Sequence, residues 1–170
     1  MDSNHTYCPR IISENTELNN AYLTFEAARG GSLKIQTSQS EENRLLLRPT
    51  EGDGAALRVE TGDATLQHHL GVMGPSGIGP WELQGLSRLR PFGLGCTLHY
   101  QPWVLFEDEK VGKDLLKLED ENVADGKWYA LPEETDQGRV WTVEWVVPLA
   151  WREEVPGPEA VEISIRLLKV

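Results

Sequence analysis

The side chains in this chain with the chemistry of an internal acid or base are few and scattered, and His68, His99 and Glu144 stand out among them. Imidazole has an unperturbed pKa near neutrality, so His68 and His99 suit proton transfer without a cofactor. Glu144 sits between Thr142 and Val146 on an otherwise apolar segment. Facing an enclosed cavity its pKa should rise, making it a partner for His99, whereas facing water it is a solubilising carboxylate. His68 adjoins His69, and on a strand the two must point to opposite faces. They therefore cannot chelate one metal, and His68 falls with Leu66 and Leu70 on the side expected to be buried. The competing reading for His68 is a core histidine bonded to a backbone carbonyl.

Six tryptophans, Trp81, Trp103, Trp128, Trp141, Trp145 and Trp151, form the strongest compositional hint. Indoles wall apolar pockets or stack against sugar rings, and they also fill sandwich cores. Trp141 and Trp145 alternate with Val143 and Val147, which points to core. In the stretch from Thr97 to Phe106, a mixed wall of Thr97, His99, Gln101 and Trp103 opposes Leu98, Tyr100, Val104 and Phe106. A strand with one mixed and one apolar wall suits the lining of a barrel cavity. The candidate ligand-binding set is therefore Trp81, Tyr100, Gln101, Trp103, Trp128 and Trp145, with His99, Glu144 and His68 as the catalytic candidates.

Familiar signatures are missing. The Gly-rich stretch lacks the P-loop Lys and the dinucleotide fingerprint, and Ser76 in Pro75-Ser76-Gly77 is not a nucleophile elbow, so no cofactor is expected. Asp120, Glu121, Asn122 and Asp125 offer oxygen ligands out of register with an EF-hand loop, which favours a turn, and no metal is expected. Cys8 and Cys96 belong to no Cys-x-x-Cys pair and read as free thiols.

Composition narrows the partners. With 27 acidic against 16 basic residues, a net charge of −11 and 39% hydrophobic residues, the chain is acidic yet apolar enough to fold. The scattered Lys and Arg argue against nucleic acid and against an anionic membrane surface. The first residues lack the basic and apolar segments of a secretory leader, and no apolar run approaches the roughly 20 residues needed to span a bilayer, so a cytoplasmic location is expected.

Short alternating runs bounded by Gly, Pro, Asp and Asn recur from about residue 20 onward, the pattern of strands and turns. Candidate strands are Ala21 to Ala27, Ser32 to Thr37, Arg44 to Arg48, Ala55 to Glu60, Ala64 to Leu70, Trp81 to Leu86, Cys96 to Phe106, Leu115 to Glu119, Lys127 to Leu131, Val140 to Val147 and Ala160 to Val170. The last is the clearest, with Val161, Ile163, Ile165 and Leu167 on one face. Between Thr16 and Gly30, Leu18, Tyr22 and Phe25 fit a helical stripe, while Ala21, Leu23, Phe25 and Ala27 alternate as a strand. The chain thus reads as one all-β domain over residues 1–170, an antiparallel β-barrel or closed β-sandwich of about 9–11 strands with room for one short helix. Residues 1–15 read as an N-terminal extension and residues 71–95 as a long Gly/Pro-rich loop.

The run Trp141-Thr142-Val143-Glu144-Trp145-Val146-Val147, continued to Trp151, resembles the penultimate strand of family 9 carbohydrate-binding modules over about a dozen residues. That resemblance implies a sandwich that holds sugar between aromatic rings. The residues themselves point first to a β-barrel enclosing a mainly apolar small molecule, with cofactor-free isomerase or cyclase chemistry as its enzymatic form. A carbohydrate-binding sandwich and a protein-interaction module without a small ligand are the alternatives. Expected partners are accordingly a small apolar molecule or sugar, no nucleic acid, no membrane, and a second copy joined through edge strands.

Overall fold

The computed structural model describes residues 1–27, 33–50, 55–62, 67–76, 79–90, 94–121, 123, 125–136, 138–147 and 156–170. Gly30, Ser32, Ala64, Leu66, residues 77–78 and 91–93 of the expected loop, Asn122 and the run from residue 148 to Trp151, which enter the expectations above, lie outside them. Thirteen strands follow one another: β1 (Tyr7–Ile12), β2 (Tyr22–Ala27), β3 (Leu33–Ser38), β4 (Leu47–Pro49), β5 (Leu57–Val59), β6 (His68–Pro75), β7 (Trp81–Leu86), β8 (Cys96–His99), β9 (Trp103–Asp108), β10 (Gly112–Leu118), β11 (Lys127–Thr135), β12 (Gly138–Val146) and β13 (Val161–Lys169). The chain is all-β and antiparallel, and no helix long and apolar enough to cross a membrane is present among the described residues.

All thirteen strands of the described residues belong to one sheet that curls back on itself. Neighbour to neighbour, β1, β4, β5, β6, β7, β12, β11 and β13 lead round to β1 again. The β2–β3 hairpin bridges this ring from β1 to β7 and β12. Closure is partial, because some joints are thin: β1 meets β4 only through Tyr7 and Leu47. The alternating residues predicted to face inward do so. Val143 and Ile165 are fully buried, with Trp145, Ile163 and Leu167 nearly so. They join Ile11, Leu23, Ile35, Leu57, Leu70, Leu83 and Leu118 in one apolar core.

Three local expectations are corrected. Residues 7–12, assigned to an extension, form β1 and pair with β13 from Tyr7↔Lys169 to Ile12↔Ser164. Pro9 and Arg10 interrupt the alternation there, which hid a strand whose Tyr7 and Ile11 are buried. Much of the stretch 71–95 is a β6–β7 hairpin rather than loop, with Gly71↔Gln84 and Leu70↔Gly85 in register. Its glycines serve close approach: a Cβ on Gly71 would lie 2.3 Å from Leu86 Cδ1. Finally, the long strand expected from Cys96 to Phe106 is broken into β8 and β9. Pro102, which has no N–H to give a ladder, sits between them after a cis bond to Gln101. With β1 added and that strand divided, the eleven candidates become thirteen. The ambiguous region after Thr16 is a series of turns followed by β2, and no helix forms there. The β3 ladder from Tyr22↔Ser38 to Ala27↔Leu33 satisfies that backbone instead.

One strand must serve three neighbours. β13 gives one edge to β1 and shares the other, pairing Val161, Glu162 and Ile163 with β11 and Arg166 with β10. Strands β10 and β11 therefore diverge along β13, and backbone groups at the fork need partners from elsewhere. The indole of Trp128, on β11, supplies one by donating its N–H to the Leu116 carbonyl of β10 at 2.8 Å. Trp128→Phe removes that donor inside the core, so unfolding free energy is expected to fall by roughly 1–3 kcal/mol, the cost of an unpaired buried carbonyl plus lost contact. Urea denaturation monitored by circular dichroism measures it; a change within a few tenths would show that the indole does not hold the fork.

Candidate functional site

The expected catalytic trio is not assembled. His99 pairs across the sheet with Val72, and Val72 is fully buried, so His99 faces inward. Glu144 pairs with Glu82, next to the inward-facing pair Trp145↔Trp81, so Glu144 faces outward. The two therefore stand on opposite sides of the sheet. His68 is inward and almost completely buried opposite Val59. It lies four residues, about 13 Å of extended strand, from Val72, the residue opposite His99. As expected, His69 takes the other face, at a half-buried position opposite Arg58.

His99 instead has a partner that the sequence did not suggest. Its Nδ1 lies 3.1 Å from Oδ2 of Asp120, and its ring meets Trp81 edge-on with centroids 5.6 Å apart. A carboxylate on Nδ1 orients an imidazole and leaves Nε2 for other work. Asp120 had been read as part of a solvated turn, and nothing in local spacing links it to a residue 21 positions earlier. Mechanically, the pair ties the end of β8 to the segment after β10. The Glu119 N–H, bonded to the Pro102 carbonyl at 3.0 Å, fastens the same segment.

The proposed ligand-lining aromatics fill the interior. Trp81, Trp103, Trp128 and Trp145 all face the core and are all buried. Trp103 and Trp128 stack with centroids 6.0 Å apart and planes at 15°, and Trp145 meets Trp128 edge-on at 4.7 Å. Three of the indole N–H groups are committed to carbonyls: Trp103 to Leu70 at 3.2 Å, Trp128 to Leu116 at 2.8 Å, and Trp145 to Val123 at 2.9 Å. Trp145 comes so close to the chain that a Cβ on Gly126 would sit 2.3 Å from its Nε1. These rings are internal struts, and among the described residues no row of exposed indoles exists. Tyr100 and Gln101 are half-buried in the break between β8 and β9.

A concavity lies at the fork of β10 and β11. It is an open cleft of about 360 Å³, floored by Leu116, Trp128, Trp145 and Ile163 and entered past Phe106 and Val111. Charged side chains rim it: Lys117 and Asp108 on the β9–β10 side, Asp125 and Lys127 on the β11 side, and Glu162 on β13. Glu162 receives Lys127 Nζ on both carboxylate oxygens at 2.9 Å. Asp108 accepts the N–H groups of Lys110 and Val111 in the β9–β10 turn, and these bonds hold its carboxyl below the usual aspartate range. Of the expected ligand-lining residues, only Trp128 and Trp145 border this cleft. The remaining lining residues, among them Leu116, Lys117, Lys127 and Ser164, were missed because the divergence of two strands leaves no local pattern. Among the described residues, no group of three or more side chains is placed to hold a metal ion.

No family model, curated protein or solved structure matches the chain. In the segment that resembles a carbohydrate-binding module, Trp145 lies in the core and Trp141 is buried beneath Arg139, whose guanidinium carbon is 5.1 Å from the ring centroid.

Glu144 does have a raised pKa, though it reaches this state on the outer face. Burial is the main cause, and the Glu82 charge opposite adds to it. The folded chain then holds a proton that the unfolded chain releases above the ordinary glutamate value of 4.5. This contribution is complete below that value and is lost as pH rises through the raised one. Glu144→Gln should therefore be more stable than the parent at neutral pH, with the gain vanishing in acid below 4.5. Urea midpoints measured across this range decide it, and a gain that is the same in acid would mean that packing, not charge, is responsible.

Proposed function

We propose that this protein binds a small, mainly apolar molecule with a polar end, in the cytoplasm, and that the ligand sits in the cleft at the β10–β11 fork. The single observation that carries this reading is the cleft itself. Its volume of about 360 Å³ lies within the range typical of small-molecule sites, and an apolar floor under a charged rim is their usual construction. Two features support it further. The floor is rigid, since Trp128 and Trp145 are each pinned through their N–H groups, so little ordering entropy is lost when a ligand arrives. Both cysteines, Cys8 and Cys96, are free, which suits a reducing compartment.

The ligand in this proposal rests against the barrel wall rather than within the barrel, because the indoles already occupy the interior. A cofactor-free isomerase or cyclase would need His99, His68 and Glu144 along one wall with the substrate, and none of the three borders the cleft. Binding is therefore the function we put forward.

Native mass spectrometry of protein from its own source, followed by a denaturing run, tests the proposal. A small molecule should be released from the parent chain. Ser164→Trp, which places an indole in the mouth of the cleft, should lose it while its thermal midpoint stays within a few degrees. Undiminished ligand in that variant would place the site elsewhere.

A further inference from the structure

The register at the fork brings polar side chains of three strands together. Leu115 of β10 pairs with Arg166 of β13, and continuing that antiparallel register sets Lys117 opposite Ser164. On the other arm, Trp128 of β11 pairs with Ile163, and the same continuation sets Lys127 opposite Ser164. Residues opposite one another in a ladder share a face. Ser164 is thus the vertex of the fork, flanked by one lysine from each diverging arm, and all three residues line the cleft.

Their hydrogen-bonding capacity is not used up. Lys117 is half-buried, and neither its ammonium nor the Ser164 hydroxyl has a partner among the described residues. Lys127 is engaged by both oxygens of Glu162, which leaves at least one of its three N–H donors. The acids on the rim are weaker competitors for a ligand than their number suggests. Glu162 is committed to Lys127, the Asp108 carboxylate accepts two backbone N–H groups, and Asp125 is exposed to water. A half-buried ammonium without a counter-ion is the group that gains most from an incoming opposite charge.

We infer that the ligand is a small amphipathic carboxylate, its apolar body on Leu116, Trp128, Trp145 and Ile163 and its carboxylate held by Lys117, Ser164 and Lys127. This inference rests on the binding function proposed above. The ammonium and hydroxyl donate to the carboxylate oxygens, and no covalent step is involved.

The test uses three matched probes, phenylbutanoate, phenylbutanamide and phenylbutylamine, titrated calorimetrically at low ionic strength into the full chain and into Lys117→Met. The parent should bind the carboxylate about tenfold more tightly than the amide, as a charge-assisted contact implies, and the amine least tightly. Lys117→Met should lose most of that preference for carboxylate over amide, with its thermal midpoint unchanged. Lys117→Gln serves if the methionine variant does not fold. Equal affinity of the parent for carboxylate and amide, or a preference for the amine, overturns the inference while leaving the cleft a binding site. A carboxylate preference that survives both substitutions undiminished overturns the role of Lys117. Binding of none of the three overturns the inference together with the proposed function.

Discussion

A β-strand has two edges, and β13 has to satisfy three neighbours with them. β1 takes one edge from Ser164 to Lys169, while β11 and β10 divide the other. Every buried backbone group left over at that division has to be bonded by something other than a ladder. The Trp128 indole reaches across to a β10 carbonyl, and the Trp145 indole pins the segment that leads from β10 to β11 through Val123. Gly126 is a consequence of the second bond, since no side chain fits where that ring passes. The cleft is the space that the fork leaves over, and its floor is made of the same rings that hold the fork in place.

The tryptophans therefore work in a way that composition did not distinguish. Rings this large make up much of the interior that the sheet encloses, and their N–H groups act as staples between strands and connecting segments. A stack of Trp103 on Trp128, edge-on to Trp145, gives rigidity to the wall behind the cleft. Rigid walls favour binding because the protein surrenders little conformational freedom.

Charge is sorted by face in this molecule. On the outer surface, Glu144 and Glu82 stand side by side, and Lys34 pairs with Glu133. On the inward side, His99 meets Asp120 beside Trp81. The sheet separates these groups, so the inward histidine and the outward glutamate cannot share a proton. At the fork, where the sheet parts, charged groups of the outer face come within reach of the apolar interior. An amphipathic ligand suits that junction.

Period-two alternation in Trp141 to Val147 and Val161 to Leu167 was enough to read strands, their buried faces and an antiparallel all-β fold, because side-chain direction in a strand is a local property of the backbone. The edges of strands were legible only to within a few residues, and β1 was hidden by Pro9 and Arg10. Which strands lie together, and therefore that Glu144 faces Glu82 and that His99 meets Asp120, is set by pairings between positions far apart in the chain. Apart from Trp128 and Trp145, the candidate site belongs to this second category. Lys117, Lys127 and Ser164 come from three strands with no shared motif, and only the splitting of one strand edge between two partners brings them to a common mouth.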